Sequence, residues 1–193
     1  VDVPELFASV PAVEVSPMLT WYLDENAPLA LAMSTEKARS EMIIAPVLLE
    51  ARRMQKDRVS LFSGMEFSVD AARGLNGLCD FLFSLSRTQI EIEAPVIAIV
   101  EAKNENLRGG IPQCVAELYA ARLFNERAGH AAPVVYGAVT SGSDWRFLRV
   151  SEGLVEVDRT EYYLREVGRI VGVLVHMLTL AQAPGAAAPV GST

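Results

Sequence analysis

Two acids and a lysine stand within or at the ends of apolar runs: Asp80 in LCDFLFSL, and Glu101-Ala102-Lys103 after APVIAIV. Both runs have strand composition, and APVIAIV is apolar enough to be buried on both faces. A carboxylate in such a strand loses its water, at a cost of several kcal/mol unless a cation or a specific partner replaces it. Side chains alternate along a strand, so Glu101 and Lys103 share one face while Ala102 lies on the other. With Asp80 on an adjacent strand, two carboxylates and the backbone carbonyl of Ala102 make a set of hard oxygens suited to Mg²⁺, with Mn²⁺ as the alternative ion. Such an ion acidifies a bound water, and Lys103 can orient or deprotonate that water or neutralise charge building on a phosphate. The chemistry in outline is phosphodiester hydrolysis. The plainer reading is a buried Asp80–Lys103 ion pair with Glu101 solvated at a strand end.

The elements that must position these groups can be read in order. Ser34 or Thr35 is a cap for a helix through EKARSEMII, which Pro46 kinks or restarts before VLLEARRM. Residues 59–69, with Gly64 in the middle, read as a bulged strand or a hairpin. Residues 78–85 and 94–100 are the strands carrying the acids. Pro112 suits the first position of a helix over 111–130 that Gly129 ends. Residues 133–139 and 144–150 read as two strands joined by TSGS, followed by a short strand at 154–157 and a long helix over 161–180. Trp145 is expected to pack this hairpin against the core, and Asn104 and Asn106 to serve turns. This order predicts an α/β fold, an α+β sandwich with a central mixed sheet flanked by helices. Residues 1–33 read as an irregular or short-helical arm, 34–180 as the domain, and 181–193 as a disordered tail.

The pattern Asp80…Glu101-Ala102-Lys103 resembles the PD-(D/E)XK nuclease superfamily, although Cys79 stands where the family's name-giving Pro would be. The resemblance implies a restriction-endonuclease-like core, a Mg²⁺-dependent nuclease activity and nucleic acid, DNA first, as substrate. It also implies a further acid on the preceding helix and a Gln on the following one. Glu41 is the candidate for that acid, with Glu50 as runner-up, and Gln113 fits the later position.

The bulk numbers are compatible with this reading. The chain has 193 residues, 51% of them hydrophobic and 21% charged, a globular composition. A formal net charge of −7 argues against a protein that coats nucleic acid by charge alone, but not against a hydrolase whose carboxylates await cations. The apolar stretch at 170–180 is about half the ~20 residues needed to span a bilayer, so no membrane partner is expected. It could instead pair two chains as a homodimer. The start VDVPELFASV lacks a secretory pattern, and Cys79 and Cys114 have neither disulfide-framework nor zinc spacing. A cytoplasmic chain with reduced thiols is therefore expected. Two alternatives accompany the nuclease: a catalytically silent nuclease-like fold used for binding or assembly, and a site that needs a partner subunit before it cuts.

Overall fold

The computed structural model describes residues 5–182 except 57 and 131, so all of the expected tail at 181–193 but its first two residues lies outside the described residues. The chain opens with α1 (Pro17–Met33) and continues through α2 (Glu36–Arg39), a π-helical turn (Ser40–Ile44) and α3 (Ala45–Met54). Strands β1 (Ser60–Glu66), β2 (Leu78–Ser84) and β3 (Val96–Ala102) follow. Helix α4 (Leu107–Arg127) then leads to β4 (Val134–Thr140), β5 (Asp144–Ser151), β6 (Leu154–Val157), β7 (Tyr162–Tyr163) and α5 (Val167–Leu180). The strands form one mixed sheet in the order β1-β2-β3-β4-β5-β6, with β7 also on β5. β3 and β4 run parallel and the other pairs antiparallel, because α4 carries the chain back across the sheet between them.

Each face of the sheet has its own apolar cluster, giving a layer of helices on either side. One cluster joins α1, α3 and α5 to Phe83, Val100, Ala138 and Phe147 of the sheet. The other packs Cys114, Leu118 and Ala121 of α4 on Leu82, Ile99, Val139 and Leu148. Trp145 is fully buried, donates its indole N–H to Gly142 O at 3.0 Å and stacks on Phe147, which is the packing role expected of it.

Local chemistry explains several boundaries that the sequence pattern places differently. Pro46 has no N–H to continue the α-helical ladder, and the π turn over Ser40–Ile44 absorbs the misfit just before it. Helix α4 begins at Leu107 rather than near Pro112, because Asn106 caps it by accepting the Gly109 N–H at 3.1 Å. The segment before α5 forms β7 and a 3₁₀ turn instead of helix. Residues 59–69 give the single strand β1, in which Gly64 takes a φ of +62°.

The expected N-terminal arm is part of the core. Ser16 caps a 17-residue α1, and Phe7 is buried edge-on against Phe147 and His176. The Leu6 N–H donates to Asp158 Oδ1 at 3.3 Å. This segment crosses α5 at Gly168 and Gly172, where an added Cβ would lie 2.5 Å from Val13 O and 2.4 Å from Pro11 O. The apolar face of α5 that suggested chain pairing is therefore spent within the chain. Ile170, Val171, Val173, Leu174, Met177 and Leu178 are all buried. Their burial contributes on the order of 10 kcal/mol before the entropy of ordering is subtracted. Among the described residues, no helix is long and apolar enough to cross a membrane.

Asn125 on α4 holds the start of β3 as a neighbouring strand would. Its Oδ1 accepts the Val96 N–H at 2.7 Å and its Nδ2 donates to Val96 O at 2.8 Å, inside the protein. Asn125→Leu, close in volume, strands both backbone groups and is expected to cost about 2–4 kcal/mol. Urea unfolding checks this; a loss below about 1 kcal/mol would show that β3 does not rely on the amide.

Candidate functional site

β2 and β3 bring Asp80 and Glu101 together by register. Phe81 pairs with Val100, so one step further places Asp80 opposite Glu101. There the backbone ladder gives way to a side chain, and the Ala102 N–H donates to Asp80 Oδ2 at 2.8 Å. In an extended strand a residue's N–H and C=O point to the same edge, so the Ala102 carbonyl is turned toward Asp80 as well. On the other side of β2, Gly64 falls between the pairs Ser63–Phe81 and Met65–Cys79, hence opposite Asp80, and an added Cβ there would meet nothing within 4 Å. Asp80 itself is half-buried.

Glu101 and Lys103 share the face toward α4, as the two-residue period requires. Ala102 lies on the opposite face, in the cluster with α3 and α5. Glu101 is 1% exposed, and its Oε1 accepts from Lys103 Nζ. The Lys103 N–H donates to Thr140 O at 2.8 Å, which ties the residue to β4 just past the end of β3. Lys103 Nζ also donates to Gln113 Oε1 at 3.1 Å. Gly110, one turn before Gln113, leaves room for the lysine stem: a Cβ there would lie 2.6 Å from Val139 Cγ1 and 3.0 Å from Lys103 Cγ. The lysine is thus confined from three directions, and its partner in the structure is Glu101 rather than Asp80.

The electrostatics follow from this crowding. Burial pushes the Glu101 carboxyl above its ordinary range, with Lys103 pulling it down and Asp80 and Glu36 pushing it up. Burial alone would lower Lys103, but its hydrogen bond to Glu101 and the charges of Glu101, Glu36 and Asp80 outweigh that and raise it. Lys103 is therefore held as an ammonium.

The two helical acids suggested by the sequence sit elsewhere. Glu41 pairs with Lys37 at 2.8 Å, one turn back on the same helix, with its side chain 59% exposed. It lines a groove with Met18, Tyr22 and Leu49. The helix turns Ile43, Ile44, Val47 and Leu48 to the core, which leaves Glu41 facing outward. Glu50 is buried, but it accepts from the Ser16 N–H and Oγ and from Arg53, so it anchors the start of α1. The preceding helix contributes instead through Glu36, whose charge bears on both Glu101 and Lys103.

Gln113 leads to an acid that sequence reasoning missed. Its Nε2 reaches Glu117 Oε1 at 3.4 Å, one turn along α4. Burial first, then the charge of Glu101, pushes the Glu117 carboxyl up to about 8. The signal was present in the helix phase. Glu117 lies three residues after buried Cys114 and four before buried Ala121, an acid in the core-facing stripe. Gln113 and Glu117 also line a cleft of about 300 Å³ with Phe67, Leu75, Asn76 and Cys79.

The donor chemistry fits a divalent cation. Glu101 Oε2 is buried with no hydrogen-bond partner, an orphaned hard oxygen on the residue that stands opposite Asp80 in the strand register. Among the described residues, no group of three or more His, Cys, Asp or Glu side chains is placed to hold a metal ion. Both thiols are buried and pushed upward by that burial, so neither has nucleophile character. No known protein family, curated protein or solved structure matches the chain.

Proposed function

We propose that this chain is a divalent-metal-dependent phosphodiesterase acting on nucleic acid, DNA first, on a restriction-endonuclease-like core. One observation carries the reading: Asp80 and Glu101 stand side by side at the ends of two central strands, with Glu101 sealed, one oxygen orphaned and Lys103 on the other. Asp80, Glu101 and the Ala102 carbonyl would hold Mg²⁺ or Mn²⁺, which supplies an acidified water and polarises the phosphate. The chain's own part is positioning and charge. Lys103, kept cationic and fixed by Glu101 and Gln113, offsets the negative charge that builds on the phosphate as its fifth bond forms. With its pKa raised, the ammonium serves as an electrostatic partner or proton donor rather than as a base. Asp80 keeps the Ala102 backbone, and with it the edge of the site, in register.

The Glu101–Lys103 contact also favours a second reading, a silent nuclease-like fold in which the ion pair is structural and the molecule binds or assembles. Incubation with plasmid, single-stranded and branched DNA separates the two. The catalytic reading expects cleavage with Mg²⁺ or Mn²⁺ that EDTA abolishes. The absence of cleavage on all three substrates, together with a silent calorimetric titration by both ions, would leave only the silent fold. No cleavage despite clear metal binding would point to a required partner subunit.

A further inference from the structure

Among the described residues Glu50, Glu101 and Asp158 are buried carboxylates, and Glu117 is half-buried with one oxygen shielded from water; the four divide into two kinds. Glu50 is satisfied by Ser16 and Arg53. Asp158 is satisfied by the N–H groups of Leu6 and Thr160 and the hydroxyl of Tyr162. Glu101 and Glu117 each keep one oxygen, Oε2, buried with no partner. A chain of hydrogen bonds links the two, from Glu101 through Lys103 and Gln113 to Glu117, and the charge of Asp80 bears on both. Two ionised carboxylates cannot hydrogen-bond each other, so neither acid can satisfy the other's orphaned oxygen without a proton or a cation. Lys103 satisfies one oxygen of Glu101 only, and Gln113 holds Glu117 Oε1 loosely at 3.4 Å. As the side chains stand no three acids are gathered for one ion, so Glu117 has to turn about its own side-chain bonds to meet an ion beside Glu101.

Resting on the metal-dependent reading above, we infer that Glu117 of α4 is the third carboxylate ligand of this site, with Asp80 and Glu101, for a hard divalent cation. Three carboxylates against one ammonium leave a local excess of negative charge that suits Mg²⁺ or Mn²⁺ and no monovalent ion as well. The helical acid of the site then comes from the helix after the two strands. Glu41, on the helix before them, has its charge met by Lys37.

Mn²⁺ binding to the full chain, followed by the loss of the free-ion paramagnetic resonance signal at pH 8, tests this without reference to cleavage. Wild type is expected to bind, Glu101→Gln to show no measurable binding, Glu117→Gln to bind about tenfold or more weakly, and Glu41→Gln to match wild type within about twofold. Melting in EDTA establishes that each variant is folded. Should Glu117→Gln fail that check, Glu117→Asp, which keeps the charge but withdraws the oxygens by one methylene, must show the same weakening. Wild-type affinity in the folded Glu117 variant, with Glu101→Gln defective, overturns the inference and leaves the metal site standing. A tenfold loss in Glu41→Gln also overturns it. Wild type that takes up no Mn²⁺ overturns the functional reading itself.

Discussion

Under the phosphodiesterase function proposed above, Lys103→Met is expected to lose about three orders of magnitude of metal-dependent cleavage, or about 4 kcal/mol of transition-state stabilisation. Methionine keeps much of the apolar stem that packs beside Gly110 and Val139 but removes the ammonium that meets Glu101 and Gln113. The loss should fall on the chemical step and not on metal uptake, because the oxygens of Asp80 and Glu101 remain. Single-turnover cleavage at saturating Mg²⁺ separates the two effects. Asp80→Asn should fail differently, by weakening metal affinity, since it removes a charge and not the electrostatic partner of the phosphate. If cleavage continued unchanged in both variants, the activity would belong to another site.

Raising the pH from about 5 to about 8.5 in EDTA is expected to destabilise the protein by about 2–4 kcal/mol. The folded Glu117 carboxyl titrates at about 8, against an ordinary value of 4.5. Between these values the unfolded chain has released a proton that the folded chain retains. The folded state then binds more protons, so stability is complete below about 4.5 and declines as pH rises toward 8. The full shift would correspond to nearly 5 kcal/mol, which partial solvent access to Glu117 reduces. Glu101, also raised by burial, acts in the same direction. Glu50 acts in the opposite one: its hydrogen bond to Arg53 lowers it, so its contribution is lost only as pH falls below the ordinary carboxylate range, outside this window. Lys103 is raised from 10.5, so its contribution is lost only above the window. Urea unfolding at a series of pH values reads the slope, and Glu117→Gln should flatten most of it. A wild-type slope that rises with pH would contradict the burial of this carboxyl.

Much of this arrangement was legible because strands obey a simple rule. Apolar runs carrying acids located β2 and β3, and the two-residue period put Glu101 and Lys103 on one face and Ala102 on the other, where the structure has them. The mixed sheet between helix layers was legible from the order of elements. Helix phase was harder to read. From the preceding helix it is the charge of Glu36, and not that of Glu41, that bears on Glu101, because docking of Ile43, Ile44, Val47 and Leu48 sets the rotation of that helix. Pro112 drew the start of α4 five residues too late, since a proline is a louder signal than the Asn106 cap. The role of the first thirty residues depends on tertiary contacts with α5 and β5, which no local pattern announces.

That last packing has a consequence for the order in which the molecule can assemble. The Leu6–Asp158 hydrogen bond spans 152 residues, and Phe7 rests on His176. Closing so long a loop is entropically expensive and is compensated only when both ends are already shaped to meet. On a ribosome the leading segment would find no seat until the final helix had emerged, and until then the Gly168 and Gly172 notch would be bare. The strap across α5 is thus a clasp, fastened only once the rest of the molecule is in place.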